Sequence, residues 1–361
     1  MLANPVNFYE RTRAARKVIV VDLGFLGDTV HLVPALWELK QNYPAAALHV
    51  LTTPVGAEVL ELAPCVERAW GIELEPAKRT LRQQWQILRG LRRERFDVAF
   101  NFSGADRTVF LTALTGARWR VGHRGSRGHF WNPWLVPTWV ARQNPDLIVF
   151  EQRRQVLAAC GLKLGVPRWD LALSEAVRRW SESLVRMPAV HFSINASSPL
   201  KEWPVESWVD LARRLLAEDP GLKVVVTSSA NAREQERLKA FVAGAGNQRL
   251  AALSPGLPIA KLAAVLQRCQ LHVGGDSGVL HLAVAMGLST VSVFRDYGDV
   301  SAWMPAGTAH RVLRVPCQCV NQRRQPCATM GRAECLARIE PAGIAALALE
   351  QLRAIRGGVL R

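Results

Sequence analysis

The chain of 361 residues is long enough for two domains rather than one core, and its 49% hydrophobic content is that of a globular protein. No apolar run reaches the roughly 20 residues of a membrane-spanning helix, and the first residues lack the apolar core of a signal peptide, so we expect a cytoplasmic protein. Lys and Arg outnumber Asp and Glu by 46 to 30, and this net charge of +16 favours an anionic partner.

Strands and helices alternate along the first half of the chain. Apolar runs at 17–23, 48–53 and 96–102 predict buried strands, because both of their faces are apolar. A helical apolar period follows the first strand and ends before Pro44. This alternation indicates a parallel sheet covered by helices.

Positive charge is concentrated in two segments of this half. Seven Lys and Arg residues lie in the predicted helix 77–96, and the loop 117–129 is basic and broken by glycines. An acidic surface or ligand accounts for the whole set better than a solvated face does, although the latter suffices for any single residue. The aperiodic region 125–188 follows, and its last part predicts the crossing between two domains.

A second series of strands and helices fills the rest of the chain. The predicted strands are 189–195, 222–229, 271–275 and 290–294, and the predicted helices are 204–218, 231–243, 258–269, a helix from Ser277, and 341–355. The simplest architecture is an α/β fold with two doubly wound, Rossmann-like parallel-sheet domains facing a central cleft. Ligands of such sheets bind beyond the carboxyl ends of the strands, where Asp28 and Asp276 lie.

Two common phosphate chemistries are disfavoured. The turn from Gly24 to Gly27 does not complete G-x-G-x-x-G, and the second strand ends at Thr52 without the acid that a dinucleotide site needs. The chain also lacks the P-loop pattern G-x-x-x-x-G-K-[ST]. Hydride transfer on NAD and P-loop kinase activity are therefore disfavoured.

The segment LHVGGDSGVLHLAVAMG at 271–287 predicts a strand, a turn and the start of a helix. The first N–H groups of such a helix, at Gly278 and Val279, stabilise a diphosphate. The Ser277 hydroxyl and the His281 ring are further donors, and Asp276 suits sugar hydroxyls. The alternative is that Asp276 or Ser277 only caps the helix and that His281 packs inside.

Polar residues also follow the strand at 189–195. In the stretch INASSPLKEWP they are Asn195, Ser197, Ser198 and Lys201, and a lysine at this place provides a point charge for a leaving phosphate. Considered alone, a lysine such as Lys201 is more often an exposed surface lysine. Asp28 poses the same choice between a helix cap and a reactive carboxylate.

Three motifs in chain order resemble glycosyltransferase family 9, the ADP-heptose:lipopolysaccharide heptosyltransferases. They are G-D-x-V-x-x-x-P-A-L at 27–36, K-x-W-P at 201–204 and D-S-G-x-x-H-L-A-x-A-x-G at 276–287. The resemblance implies the GT-B fold, with an acceptor domain at 1–183 and a nucleotide-sugar domain at 184–340. We expect the helix in 341–361 to pack back toward the first domain.

The resemblance also implies an inverting transfer of heptose from ADP-heptose without a metal or cofactor. Asp28 matches the general base of the family, and Lys201 with the helix start at 276–281 stabilises the leaving diphosphate. The donor-binding set is Asn195, Ser197, Ser198, Glu234, Asp276, Ser277, Gly278, Val279 and His281. Glu234 or the nearby Glu236 would hold ribose hydroxyls, and either is equally an ordinary solvated helix residue.

For the acceptor, the resemblance implies a lipid-linked oligosaccharide of the lipid A–Kdo type, which is anionic. The basic residues expected to bind it are Arg107, Arg120, His123 and Arg124. The enzyme would then work as a peripheral protein on the cytoplasmic face of the inner membrane. Trp131, Trp134 and Trp139 are candidates for the lipid interface or for the core.

Three points stay open in the sequence. Arg295 stands where family members usually have a glycine, so the donor is either ADP-heptose or another nucleotide sugar, and a protein acceptor is a further alternative. Among Cys317, Cys319, Cys327 and Cys335, the first two are separated by a single residue, which is tighter than structural zinc prefers and favours free thiols over a metal site. Nucleic-acid binding has only the charge in its favour, since the chain has no signature of a nucleic-acid-binding fold.

Overall fold

A computed structural model describes residues 7–75, 80–123, 132–136, 138–140, 144, 146–296, 300–317 and 333–360. The chain divides into two compact units, Met1–Ala172 and Leu173–Arg361. None of the helices described combines the length and apolar content needed to cross a bilayer.

The first unit alternates strands with helices. Its elements in chain order are α1 (Phe8–Thr12), β1 (Lys17–Val21), α2 (Leu26–Asn42), β2 (Ala47–Thr52), α3 (Pro54–Leu60), β3 (Arg68–Gly71), α4 (Leu81–Glu94), β4 (Val98–Asn101), α5 (Asp106–Leu114), β5 (Trp119–His123), α6 (Asn132–Leu135), β6 (Thr138–Val140) and α7 (Val149–Ala159).

The strands of the first unit form a parallel sheet with the order β3-β2-β1-β4-β5-β6. Val18 and Val20 of β1 belong to the core on one face, and Ile19 and Val21 belong to the core on the other. Side chains alternate between the two faces of a strand, so a strand covered on both sides is apolar throughout. This explains why the central strands could be predicted from their composition.

The second unit repeats this arrangement. Its elements are α8 (Glu175–Leu184), β7 (Ala189–Ser193), the 3₁₀ turn Pro199–Lys201, α9 (Val205–Glu218), β8 (Lys223–Val226), α10 (Ala232–Ala245), β9 (Leu250–Ala252), α11 (Ile259–Arg268), β10 (Leu271–Gly275), α12 (Gly278–Ala285), β11 (Ser289–Asp296), the 3₁₀ turn Val300–Trp303, β12 (His310–Pro316), α13 (Glu334–Ala337) and α14 (Pro341–Arg356).

The second sheet is also parallel and has the order β12-β11-β10-β7-β8-β9. Counted from its own first strand, this is the order of the first sheet. Trp203, Trp208 and Phe192 lie at the centre of its core and are almost fully buried. The predicted fold class is confirmed, since each unit is the doubly wound parallel sheet that the GT-B fold requires.

The boundary between the units lies earlier than the predicted 183/184. Trp169 and Leu171 pack against the core of the first unit, whereas α8 packs on α11 of the second, with the Lys261 ammonium 4.9 Å from the Trp180 ring centroid. The segment read as a crossing therefore contains a helix of the second unit. Amphipathic character shows that a helix buries one face, and it does not show which core receives that face.

The C-terminal helix also belongs to a different part of the structure than predicted, since the prediction separated 341–361 from the second domain. In the structure α14 belongs to the second unit, where it packs on α9, β10 and β11. Its Ile344, Ala348 and Leu352 are part of the core around Trp203. The spacing of four residues between these side chains places them on one face of the helix.

Two histidines lie side by side on the central strands of the second sheet. His191 of β7 and His272 of β10 are fully buried, their Nδ1 atoms are 2.9 Å apart, and His191 Nε2 is 2.9 Å from Thr227 Oγ1. Burial lowers the pKa of His191 to about 3. Burial, followed by the neighbouring histidines, lowers the pKa of His272 well below its ordinary value.

This pair predicts that the second unit loses stability in acid. A histidine in the unfolded chain binds a proton near pH 6.5, whereas the folded pair resists protonation, so stability is complete above about pH 6.5 and falls as the pH decreases toward the folded pKa values. The loss is about 1.4 kcal/mol per pH unit for each histidine. Hydrogen–deuterium exchange of β7 and β10 between pH 7.5 and 5, corrected for intrinsic exchange, measures it. The variant His191→Gln should show a shallower pH dependence, and a slope equal to that of the wild type would contradict the assignment.

Candidate active site

The strand order of each sheet reverses at one place. In the first unit the chain leaves β1 in one direction and returns on its other side at β4, and β7 and β10 have this relation in the second unit. Helices diverge from such a point, which leaves a crevice beyond the carboxyl ends of the two strands. Asp28 follows β1, Asn195 follows β7 and Asp276 follows β10, so the main candidates lie at these points.

Asp28 is the third residue of α2, and its side chain serves as a cap. Its Oδ2 accepts a hydrogen bond from the Phe25 N–H at 3.0 Å, yet 28% of the side chain remains exposed. A Cβ on Gly24 would lie only 2.1 Å from the Asp28 Cβ, so this approach of backbone to carboxylate requires glycine. Asp28 is thus a cap and an accessible carboxylate at the same time.

Two charged residues surround Asp28, and the sequence analysis did not identify either. The Arg153 guanidinium of α7 lies 3.0 Å from Asp22 Oδ2 and 3.7 Å from Asp28 Oδ1, and it donates to the backbone carbonyl of Asp28. Burial raises the pKa of Asp28, Arg153 lowers it and Asp22 raises it. Asp22, directly after β1, was detectable as a second acid in the turn, whereas Arg153 is 125 residues from Asp28.

In the second unit the structure brings Lys201 and Asp276 together. Lys201 Nζ lies 2.7 Å from Asp276 Oδ2, and 27% of the lysine side chain is exposed against 8% of the aspartate. Ser198 Oγ accepts the Leu200 N–H at 3.3 Å and so begins the 3₁₀ turn that carries Lys201. Lys201 is thus an anchored cation rather than a mobile surface lysine.

Hydrogen-bond donors converge beside this ion pair. Ser277 is the N-cap of α12, and its buried Oγ has no hydrogen-bond partner among the described residues. The first N–H groups of α12, at Gly278 and Val279, are donors that a helix cannot satisfy internally. The Asn195 side chain is buried, and its Nδ2 likewise has no partner in the described part of the chain. The arrangement suits an anionic ligand with several oxygens.

His281 lies one turn into α12 with its ring against Trp303, at a centroid distance of 5.6 Å. Only 5% of the residue is exposed, and burial lowers the pKa of the ring to about 4. The imidazole is therefore neutral at pH 7 and contributes no positive charge. His281 thus packs inside, and its predicted contact to the donor stays a prediction.

Three residues that the sequence analysis missed hold the loop between Asn195 and Lys201. The buried carboxylate of Glu202 accepts the Ala196 N–H at 3.0 Å and pairs with Arg233 at 2.6 Å and with Arg237 at 3.4 Å. Arg237 also donates to the Asn195 Oδ1 at 3.2 Å. Glu202 directly follows Lys201, which was the available signal. These contacts hold the carboxamide oxygen of Asn195, whereas its Nδ2 has no partner among the described residues.

Other predicted donor residues are placed less centrally. Ser197 is exposed on the same loop. Glu234 accepts the Ser229 N–H at 3.0 Å and so closes a turn after β8, whereas Glu236 is exposed on α10. Arg295 lies in β11, and residues 297–299 of the loop that follows are outside the described part. The nucleoside contacts of Glu234 and Glu236 stay predictions.

The predicted acceptor residues are partly described. Arg107 is exposed in the first turn of α5, beyond the carboxyl end of β4. Arg120 instead donates to the backbone carbonyls of Leu135 at 2.6 Å and Ala117 at 2.7 Å. The backbone of His123 ends β5, while its side chain and all of Arg124 lie outside the described residues. Among the interface candidates, Trp134 is 84% exposed, and neither Trp131 nor the Trp139 side chain is described.

Two of the four clustered cysteines can be located. Cys317 and Cys335 are buried side by side in the core of the second unit, and burial, followed by Cys317, raises the pKa of Cys335 to about 11. Cys319 and Cys327 lie outside the described residues. The described part contains no group of three or more potential metal ligands. The choice between free thiols and a metal site therefore stays a prediction.

Comparison with known proteins identifies the family. Residues 84–332 match the model of glycosyltransferase family 9 (heptosyltransferase), which is more than half of the chain. Lipopolysaccharide heptosyltransferase 1 of Pseudomonas aeruginosa is 26% identical over 291 residues, which are 77% of this chain and 78% of that protein. Lipopolysaccharide heptosyltransferase 3 of Escherichia coli is 24% identical over 284 residues, or 75% of this chain and 81% of that one.

Solved structures agree on the fold. A family 9 glycosyltransferase from Veillonella parvula superposes with a TM-score of 0.79 at 18% identity, covering 94% of this chain and 97% of the other. The E. coli heptosyltransferase WaaC with ADP superposes with a TM-score of 0.72 at 19% identity, covering 93% and 99%. The resemblance of the three motifs is thereby confirmed, and the chain belongs to glycosyltransferase family 9, the heptosyltransferases.

Proposed function

We propose that this enzyme transfers a heptose from ADP-heptose to the inner core of lipopolysaccharide with inversion at the anomeric carbon. The similar proteins from P. aeruginosa and E. coli are lipopolysaccharide heptosyltransferases by name. One similar E. coli structure contains ADP, and another contains ADP-2-deoxy-2-fluoro heptose. The observation that carries the proposal is the convergence of Lys201, Ser277, Asn195 and the start of α12 at the switch point of the second sheet.

The donor diphosphate binds at this point through groups of positive or hydrogen-bond-donating character. The ammonium of Lys201 contributes the charge, and Ser277 Oγ, Asn195 Nδ2 and the first N–H groups of α12 contribute the hydrogen bonds. These groups are fixed before the ligand arrives, since Asp276 and the Glu202 cluster hold their loops. Preorganised donors stabilise charge that develops on a leaving group. They take the place that a divalent cation has in other transferases.

Asp28 acts as the general base. It accepts the proton of an acceptor hydroxyl while the oxygen forms a bond to C1 of the heptose. The bond from C1 to the diphosphate oxygen breaks at the same time, and the electron pair leaves with ADP. Burial raises the pKa of Asp28, which strengthens the carboxylate as a base without removing its accessibility.

A different nucleotide sugar is the second candidate donor. Arg295 near the end of β11 stands where the family pattern expects a glycine, and a guanidinium there would add a phosphate contact. Turnover of ADP-, GDP- and UDP-sugars, each with lipid and protein acceptors, distinguishes the candidates. Turnover only of ADP-heptose, and only with the lipid acceptor, supports ADP-heptose as the donor.

We further propose that the acceptor and the membrane surface bind to the first unit. Arg107 lies beyond the carboxyl end of β4, near the switch point that carries Asp28. Helix α4 exposes Leu81 and Trp85, four residues apart on one face, with 79% and 65% of each accessible. The exposed arginines of this segment are Arg82, Arg89, Arg92, Arg93 and Arg95. Apolar anchors beside arginines suit the anionic cytoplasmic face of the inner membrane.

Substitutions at Asp28 and Lys201 should separate chemistry from donor binding. Asp28→Asn should reduce transfer by at least about 100-fold, since it removes the base, and should leave ADP affinity in calorimetry nearly unchanged. Lys201→Ala should weaken ADP binding by about tenfold or more, since it removes a charge-assisted contact. The controls are Asp210→Asn, at a half-exposed aspartate that pairs with Arg214, and Lys239→Ala, at an exposed lysine. All assays contain EDTA. Near-normal turnover by Asp28→Asn, or unchanged ADP affinity in Lys201→Ala, would refute the respective role.

The surface of α4 predicts binding to anionic vesicles. The double variant Leu81→Ser/Trp85→Ser should bind vesicles of one-third phosphatidylglycerol at least about tenfold more weakly than the wild type, because the apolar anchors are lost. Val166→Ser removes a comparably exposed apolar side chain elsewhere in the first unit and should have no effect. Raising the salt should weaken wild-type binding. Equal binding of both variants in co-sedimentation would exclude α4 as the membrane face.

A further inference from the structure

Arg153 occupies a position between two carboxylates of the first unit. Its guanidinium is 3.0 Å from Asp22 Oδ2 and 3.7 Å from Asp28 Oδ1, with only 8% of the arginine side chain exposed. It also donates to the backbone carbonyl of Asp28. The Arg153 guanidinium therefore approaches Asp28 at two places, the backbone carbonyl and the carboxylate.

The turn that carries Asp28 is closed by these contacts. Asp22 Oδ1 accepts the Gly24 N–H at 3.0 Å, and Asp28 Oδ2 accepts the Phe25 N–H at 3.0 Å. Each carboxylate thus uses one oxygen for the turn and directs the other toward Arg153. The arginine joins both ends of the turn, from the residue after β1 to the first turn of α2.

We propose that Arg153 is a positioning residue that orients the carboxylate of Asp28 for proton abstraction, and that Asp22 limits how much of the arginine charge Asp28 experiences. The inference rests on the proposed function, in which Asp28 is the base. An arginine alone beside Asp28 would stabilise the ionised carboxylate and weaken it as a base. The second carboxylate shares that positive charge, so the position is held while the basicity is kept.

The charged groups that act on Asp28 come from two elements besides α2. Within the described residues they are Arg153 on α7, which lowers the pKa of Asp28, and Asp22 after β1, which raises it. The neighbouring Arg154 on α7 is directed elsewhere and pairs with Glu38 at 2.9 Å and Glu151 at 2.6 Å. Removing Asp22 and removing Arg153 should therefore move the titration of Asp28 in opposite directions.

The experiment measures the pH dependence of kcat/KM for heptosyl transfer. In Asp22→Asn the acidic limb should move to lower pH by roughly one unit, because Arg153 then acts on Asp28 alone. In Arg153→Gln it should move to higher pH by a similar amount, and kcat should fall by at least about tenfold because the carboxylate is no longer oriented. Arg153→Lys keeps the charge and should keep the limb near its wild-type position.

Arg154→Gln is the matched control, since it removes an equally buried arginine from the same helix without touching Asp28. It should lower the melting temperature and leave the acidic limb in place. Calorimetric ADP affinity should be unchanged in all variants. If Arg153→Gln does not fold, Asp22→Asn and Arg153→Lys carry the test. The inference is overturned if the acidic limb of kcat/KM stays in place in Asp22→Asn and Arg153→Gln. It is also overturned if the limb shifts in the same direction in both variants. Absence of heptosyl transfer by the wild type would instead overturn the proposed function.

Discussion

The positions of the candidate residues depend on one constraint, the reversal of strand order in each sheet. Parallel strands need crossover connections, and a sheet that grows from its centre in both directions sends consecutive helices to opposite faces. In the first unit this occurs between β1 and β4, and in the second between β7 and β10. The carboxyl ends of these strands are consequently the place where side chains can converge without a helix above them. Asp28, Asn195 and Asp276 all follow one of these four strands.

Such convergence buries charged side chains, and in each site the buried carboxylates have partners of opposite charge. A carboxylate removed from water is tolerated when opposite charges and N–H groups surround it. Asp276 has Lys201, Asp22 has Arg153, and Glu202 has two arginines together with a backbone N–H. These pairs add little to stability, because desolvation offsets most of the attraction. What they provide is fixed geometry for loops that would otherwise have many conformations.

The parts of the site that are contiguous in sequence were predictable, and those assembled from distant segments were not. The strand at 271–275 was found at the observed residues and the helix start after it within one residue, because a buried strand, a turn and a helix follow one another directly. Arg153 could not be linked to Asp28 across 125 residues, since only the packing of α7 on α2 brings them together. Arg120 illustrates the converse, because a basic residue in a basic loop was expected to meet a ligand and instead donates to backbone carbonyls. Five strands were missed: β3, β6 and β9 have only three or four residues each, and β5 and β12 are interrupted by arginine and histidine, so none of them forms a continuous apolar run.

The two units use the same local structure, a strand that leads through a turn into a helix, for opposite purposes. In α2 the first turn contains Asp28, whose carboxylate accepts an N–H at the helix start. The helix dipole favours that negative charge, yet burial outweighs it and the pKa of Asp28 rises, which suits a base. In α12 the first turn contains no acid, and Ser277, Gly278 and Val279 place only small or apolar groups around the N–H donors. The positive end of that helix is therefore left for an anion from outside the chain. In the proposed function, the carboxylate in the first turn of α2 makes that helix start a proton acceptor, and its absence from the first turn of α12 leaves that turn for a phosphate.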